Sequence, residues 1–229
     1  MIIGGFLKFS LIDYPGKTSA VIFTRGCNFR CPYCYNAELV LPEAYGREID
    51  LSSVFTHLNK RRGKLDAVTI TGGEPTLHDD LIVFIKQIKT LGYLVKVDTN
   101  GSRPEIIRAM LHENIVDYIA MDIKAPFDDY VKMAGVAISI DKLKKSIGLI
   151  MQSGIDYEFR TTVVGDILSE DDLLDIALSI KGARKFYLQK FIPAKPIDPN
   201  MLSAKTYDDI KLRKLAGKLS EYVDFCGVR

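Results

Sequence analysis

Ser19-Ala20-Val21-Ile22-Phe23-Thr24-Arg25-Gly26-Cys27-Asn28-Phe29-Arg30-Cys31-Pro32-Tyr33-Cys34 is the stretch on which the fold turns. Its first six residues, SAVIFT, form a short apolar, β-branched run of the kind that makes a buried strand. They follow the turn signal Asp13-Tyr14-Pro15-Gly16 and run almost directly into three cysteines within eight residues. A strand that delivers a cluster of thiols at its C-terminal end is the seed of an α/β site.

Working outward, strand and helix patterns alternate to the end of the chain. Strands are predicted at residues 67–71 (AVTIT), 93–98, 118–123, 157–164 and 185–189. Helices are predicted at 51–61, 81–91 and 140–152, then at 171–180 and, after the Pro-rich loop 193–199, at 207–219. A further helix opens with Ser102 followed by Pro104, and Gly92 stands past the end of the helix at 81–91. Asp79 or Asp80 is placed as the cap of that helix, and Asp141 as the cap of the helix at 140–152. Six parallel strands with crossover helices imply an α/β fold. A full eight-unit barrel takes about 250 residues, and six units with a tail already use the 229 present. The expectation is a partial (β/α)6 barrel with a short N-terminal extension and a C-terminal helix, one domain over residues 1–229. A six-strand doubly wound sheet is the alternative.

Composition narrows the function classes. Lys and Arg (31) nearly balance Asp and Glu (29), so there is no strongly basic face for nucleic acid or a membrane surface. No run approaches eighteen apolar residues, and the opening MIIGGFLKFSLIDYPGK lacks the basic and small-residue signals of a secretory leader. A cytoplasmic protein is expected, with neither nucleic acid nor membrane as partner. At 47% apolar residues the core needs no disulfide staples. The cysteines therefore call for a chemical explanation.

Three thiolates at the spacing of Cys27, Cys31 and Cys34 can ligate one metal centre, and thiolate clusters select iron–sulfur or zinc. A zinc site would need a fourth ligand, for which Cys226 is the one remaining cysteine. Three cysteines also suit a four-iron cluster with one iron left open for chemistry. On this motif alone both readings stand. Gly72-Gly73-Glu74-Pro75 ends the second strand, on the face where parallel α/β folds place their sites. The two glycines let backbone approach a ligand closely, and Glu74 can accept from an ammonium; a plain βα turn is the alternative. Asp98-Thr99-Asn100-Gly101 and Asp122-Ile123-Lys124 close the third and fourth strands, where Asp98 or Lys124 either meets a charged ligand or merely caps and solvates.

CxxxCx-aromatic-C followed about forty residues later by GGEP resembles the radical S-adenosylmethionine (SAM) superfamily, and the six-unit reading fits that superfamily's partial barrel. The resemblance implies that Cys27, Cys31 and Cys34 hold one [4Fe–4S] cluster whose fourth iron is chelated by SAM. It implies that Tyr33 contacts the adenine end and that Gly72, Gly73 and Glu74 hold the methionine ammonium. Asp98, Thr99, Asn100, Asp122 and Lys124 are similar to the DTNG and DxK segments of glycyl-radical-enzyme activating enzymes, which touch SAM or a monovalent cation. Arg160, in RTTVV, is implied as a partner of the SAM carboxylate.

Within the superfamily the chain resembles those activating enzymes, in particular the anaerobic ribonucleoside-triphosphate reductase activating protein. The resembling stretches are SLIDYPGK at Ser10–Lys17, RGCNFRCPYCYNAELV, GGEPTL and MDIKAP. Tyr35-Asn36 is similar to the aromatic/His-Asn pair of activators, where carboxy-deazaguanine synthases usually show Asp. One departure stands out: pyruvate formate-lyase activators carry a SAM-contacting His on the last strand, whereas this chain has Gln189 there. The resemblance implies a glycyl radical enzyme as partner and a flavodoxin or ferredoxin-type reductant. The rival readings are a radical SAM enzyme acting on a small molecule and a non-catalytic zinc or iron–sulfur protein.

Overall fold

A computed structural model describes residues 1–229 as two compact units. The first comprises Met1–Asn28, Asn36–Thr99 and Arg103–Ile119; the second comprises Phe29–Tyr35, Asn100–Ser102 and Ala120–Arg229.

In the first unit β1 (Ile3–Tyr14) pairs antiparallel with β2 (Lys17–Thr24), turning at Gly16 with φ 69°. After two helices, α1 (Ala37–Val40) and α2 (Leu51–Arg61), the chain adds β3 (Ala67–Gly72) parallel to β2. α3 (Leu81–Thr90) then leads to β4 (Leu94–Thr99), parallel to β3, and α4 (Pro104–His112) follows. Ala20, Val21 and Ile22 of β2, and Val68 and Ile70 of β3, are fully buried. Burial on both faces is what a parallel strand covered by crossover helices requires. α3 buries Leu81, Phe84, Ile85 and Ile88.

β5 (Tyr118–Asp122) is divided between the units, its last three residues belonging to the second. There the Ile123 N–H donates to the Arg160 carbonyl at 2.8 Å, which sets the end of β5 beside β6 (Asp156–Val163). Between them lie α5 (Tyr130–Ala134) and α6 (Ile140–Met151). α7 (Glu170–Ser179), β7 (Phe186–Lys190), α8 (Asp209–Leu219) and β8 (Cys226–Val228) complete the chain, with β6, β7 and β8 mutually parallel. The expected α/β succession of strands and crossover helices is present.

Several boundaries differ from the sequence reading. The expected N-terminal extension is a twelve-residue strand, β1. Its pairing with β2 is interrupted by three register shifts, so apolar residues do not alternate cleanly: Leu7, Phe9, Leu11 and Ile12 are all exposed, Ile12 at 87%. The expected C-terminal helix is followed by β8, too short to announce itself by periodicity. Ser139 occupies the N-cap position of α6, leaving Asp141 in its first turn. Arg103, not Ser102, precedes Pro104 at the start of α4. α8 begins at Asp209 and is capped by Asp208, whose carboxylate accepts from the Lys211 N–H. Asp80 does precede α3 but makes no side-chain cap; its carboxylate pairs with the Met1 ammonium.

β8 brings a buried charge with it. Both guanidinium nitrogens of Arg229 bond Glu158, at 2.7 and 2.9 Å, and the Glu158 side chain is 0% exposed. A carboxylate so placed cannot lose its partner cheaply. Arg229→Ala is expected to lower the unfolding free energy by about 1–2 kcal/mol, less than for a fully buried pair because the guanidinium side is 36% exposed, as read by urea denaturation.

Candidate functional site

In the first unit the strand ends converge on the entry to the cysteine loop. β3 ends at Gly72, whose φ of 116° suits glycine, and a Cβ there would strike the Thr24 backbone. The Gly73 N–H donates to the Thr24 carbonyl at 2.9 Å, and the Glu74 N–H to the Gly26 carbonyl at 2.7 Å. Any side chain on Gly73 would collide with that same carbonyl. Cys27 is the next residue, so the Gly-Gly-Glu turn fixes the chain that presents the first thiol. His78 contributes too, its Nε2 lying 2.9 Å from the Arg25 carbonyl.

Glu74 is buried at the start of the following turn. Its Oε1 accepts from the Thr76 N–H at 3.1 Å, from the Thr76 hydroxyl, and from the Thr99 hydroxyl at 2.8 Å. The structure thus joins two sequence-predicted residues, Glu74 and Thr99, on one bond. Asp98 pairs with the Lys96 ammonium, whose side chain is only 3% exposed. Lys96 escaped the sequence reading, although a lysine two residues before Asp98 in a Val-rich strand shares its face.

The second unit gathers the other predicted residues. Cys31 and Tyr33 are buried and Cys34 is half-buried, and the Cys34 N–H donates to the Cys31 carbonyl at 3.0 Å. The loop is tied down on two sides. The Arg30 N–H donates to the Ala134 carbonyl at 2.7 Å. The Ile197 and Asp198 N–H groups bond the Cys34 and Pro32 carbonyls at 2.9 and 3.0 Å. Asn100, also buried, accepts from the Ser102 N–H at 3.0 Å.

A charge cluster lies beside the thiols. Arg160 Nε donates to Asp122 at 2.9 Å, and Lys124 Nζ lies 3.3 Å from the other Asp122 oxygen. Burial alone would raise the Asp122 pKa, but the Arg160 guanidinium and then the Lys124 ammonium overcome it and hold the carboxyl at about 2. For Lys124, burial opposes the charge and Tyr33, Asp122 and Cys31 outweigh it, raising its pKa. Burial pushes the Cys31 thiol up, while Lys124 pulls it down. The Lys124 N–H donates to the Tyr130 hydroxyl at 3.2 Å, and that hydroxyl donates to the Asp122 carbonyl at 3.3 Å. Tyr130 was not anticipated.

Two further predicted residues are Tyr35 and Gln189. Tyr35 stacks on Phe191 with centroids 5.7 Å apart, and its hydroxyl accepts from the Ile192 N–H at 2.8 Å. Gln189 lies on β7 opposite Thr162 and makes no side-chain hydrogen bond.

The arrangement fits a [4Fe–4S] cluster and SAM. None of the four cysteines is in a disulfide. Cys226 feels no neighbouring charge: burial alone raises its pKa, to about 12, whereas Cys31 senses both Cys34 and Lys124. The Tyr33 hydroxyl is buried without a hydrogen-bond partner, next to a cationic cluster suited to a carboxylate. Gly72 and Gly73 form a turn with no room for a side chain.

Gly73→Ala is expected to displace the start of the cysteine loop and cut iron and sulfide incorporation on anaerobic reconstitution by about tenfold. Far-UV circular dichroism should stay unchanged, since the clash is confined to one turn. Asp122 gives a pH prediction. Its folded pKa is below the unfolded value of about 3.9, so its stabilisation is complete above that pH and is lost as pH falls through about 2. Asp122→Asn should flatten the acid-unfolding profile in that window and leave the slope between pH 5 and 8 unchanged.

Comparison with known proteins agrees with the geometry. Residues 21–180 match the model of the radical SAM superfamily. A Methanocaldococcus jannaschii protein named "Putative glycyl-radical enzyme activating enzyme" is 34% identical over 234 residues, covering 100% of this chain and 95% of that protein. A 7-carboxy-7-deazaguanine synthase of Aquifex aeolicus is 38% identical over 87 residues, covering 38% of each chain. Streptococcus suis SuiB bound to S-adenosylmethionine shares the fold at a TM-score of 0.67 with 14% identity, over 91% of this chain and 48% of that one. Members of the matched family work with a [4Fe–4S] cluster and SAM. With the motifs, the strand-end geometry and these matches together, the chain belongs to the radical SAM superfamily and is an enzyme of that family.

Proposed function

We propose that this enzyme removes a hydrogen atom from one glycine Cα of a partner enzyme, leaving a stable glycyl radical, and that the partner is anaerobic ribonucleoside-triphosphate reductase. The observation that carries the activator reading is the likeness to the archaeal activating-enzyme relative over the whole chain. The choice of reductase rests on the SLIDYPGK and MDIKAP stretches and on Gln189 standing where a pyruvate formate-lyase activator would have His.

The chemistry that cluster and SAM supply when bound is a one-electron cleavage giving methionine and a 5′-deoxyadenosyl radical, with the electron coming from a flavodoxin or ferredoxin-type reductant. The chain's own residues would prepare that event. Cys27, Cys31 and Cys34 would hold the cluster, with Cys27 aimed by the bonds that anchor Gly26 to the Gly73–Glu74 turn. Glu74, its carboxylate oriented by Thr76 and Thr99, would face the methionine ammonium. Lys124 and Arg160, both half-buried and gathered on Asp122, would set positive charge against the SAM carboxylate. The Tyr33 ring would lie at the adenine end, and Asp98, held by Lys96, would serve the ribose or a monovalent cation. Ile123, between Asp122 and Lys124, and Phe191, against the Tyr33 ring, are buried and would help exclude water from a reagent that would otherwise attack its surroundings.

The local likeness to a deazaguanine-forming enzyme favours a second reading, a small cyclic substrate held in the same mouth. Anaerobic reconstitution with SAM, dithionite and the reductase, followed by electron paramagnetic resonance, separates the two. The activator reading expects a glycyl doublet together with 5′-deoxyadenosine. Release of 5′-deoxyadenosine with no doublet from any glycyl radical enzyme would sink it and favour the small substrate. Replacing Cys27, Cys31 or Cys34 by Ala should abolish cluster absorbance and SAM cleavage alike, while Cys226→Ala should leave both within about twofold of the parent.

A further inference from the structure

A cavity of about 410 Å³ opens in the second unit against the cysteine loop, and none of the steps above uses it. Pro32, between Cys31 and Cys34, forms part of its wall, with the buried side chains of Met133 and Leu168 beside it. Asp129, Asp166, Asp172 and Asp198 also line it, against a single cation, Lys132. The volume is in the range that takes a small ligand or a few side chains, roughly 300–1,000 Å³.

The state of these four carboxylates is informative. Asp166 accepts from the Lys205 N–H at 2.8 Å and Asp198 from the Asn200 N–H at 2.9 Å. Asp172 accepts from the Ser169 N–H and hydroxyl at 2.7 and 2.8 Å in the capping box of α7. All three are therefore oriented by neutral donors and none is neutralised, since no lysine or arginine forms an ion pair with any of the four. Elsewhere the protein does pair its acids, as Asp122 and Glu158 show. Nor do any three of these carboxylates stand close enough together to share a metal ion. A negative field spread around an apolar floor suits an extended amphipathic cation better than a point charge: a stem for the apolar wall, a charged head for the rim.

We propose that this cavity docks a segment of the partner polypeptide through an arginine or lysine side chain. Its stem lies along Pro32, Met133 and Leu168, and its head lies among Asp129, Asp166 and Asp198. The proposal deepens the activator reading and rests on it, because a peptide seated here is held against the loop that carries Cys31 and Cys34. The same backbone bonds that pin Ile197 and Asp198 to the cysteine loop fix one wall of the cavity to that loop. A docked residue would thereby be positioned relative to the thiols rather than to a mobile rim, as an oriented reaction requires.

Two labelled peptides, acetyl-Leu-Gly-Arg-amide and acetyl-Leu-Gly-Glu-amide, test the cavity by fluorescence anisotropy on the reconstituted full chain. The arginine peptide should bind, about tenfold or more tightly than the glutamate peptide, and should weaken as salt rises past the screening range. Asp129→Lys, on an exposed position outside the SAM machinery, should weaken it by about tenfold while leaving cluster absorbance and dithionite-driven SAM cleavage unchanged. Asp198→Asn provides a milder second variant, expected to lose about threefold. Equal binding of the two peptides, or undiminished binding by Asp129→Lys, would overturn the proposal. So would saturable Mn²⁺ binding that Asp129→Lys abolishes, which would make the cavity a metal site. The two readings fail separately. A glycyl doublet that Asp129→Lys forms at the parent's half-saturating reductase concentration refutes the cavity alone. Arginine-peptide binding without any doublet refutes the activator reading alone.

Discussion

A single hydrogen bond between backbones, from the Glu74 N–H to the Gly26 carbonyl, organises the first unit. It exists because Gly72 takes a φ of 116° and Gly73 leaves no Cβ in the way. Through it the end of β3 is sewn to the last residue before Cys27, and Glu74 is swung to where Thr76 and Thr99 orient its carboxylate. Two strand ends and a loop thus share one geometry. A thiol on a free loop would sample many positions, and a cluster ligand cannot.

Electrostatics organises the second unit in a complementary way. Asp122 stays ionised despite burial because Arg160 and Lys124 approach it from two sides. The cluster carries net positive charge, one carboxylate against two cations, beside Cys31 and the unpartnered hydroxyl of Tyr33. An anionic cluster and a carboxylate-bearing cofactor suit such surroundings. The cavity against Pro32 has the opposite sign, with Asp129, Asp166, Asp172 and Asp198 against Lys132.

Much of this was readable in advance. The strands 67–71 and 118–123 and the helix at 51–61 match β3, β5 and α2 closely, because buried parallel strands and amphipathic helices write their periods into the sequence. β1 was not readable, since its three register shifts scatter Leu7, Phe9, Leu11 and Ile12 onto exposed positions. β8 has three residues, fewer than a period-2 pattern needs. At the site, the Gly-Gly-Glu turn and the three thiols were visible because each demands particular residue types at fixed spacing. Tyr130 and Phe191 were not, for each acts through a partner on another element, whereas Lys96 has its partner Asp98 two residues on along the same strand face.

The sequence by itself determined the chemistry on offer: three thiols, two glycines with an acid, and strand ends rich in charge, all set by residue identity and local spacing. Only the tertiary structure decided how those groups are employed. It made Asp122 the hub for Lys124 and Arg160, set Tyr35 against Phe191, and buried Cys226 on β8. The physical reason is range. Backbone preference and periodicity act over a few residues, whereas desolvation and Coulomb pairing depend on groups as far apart in the chain as Asp122 and Arg160.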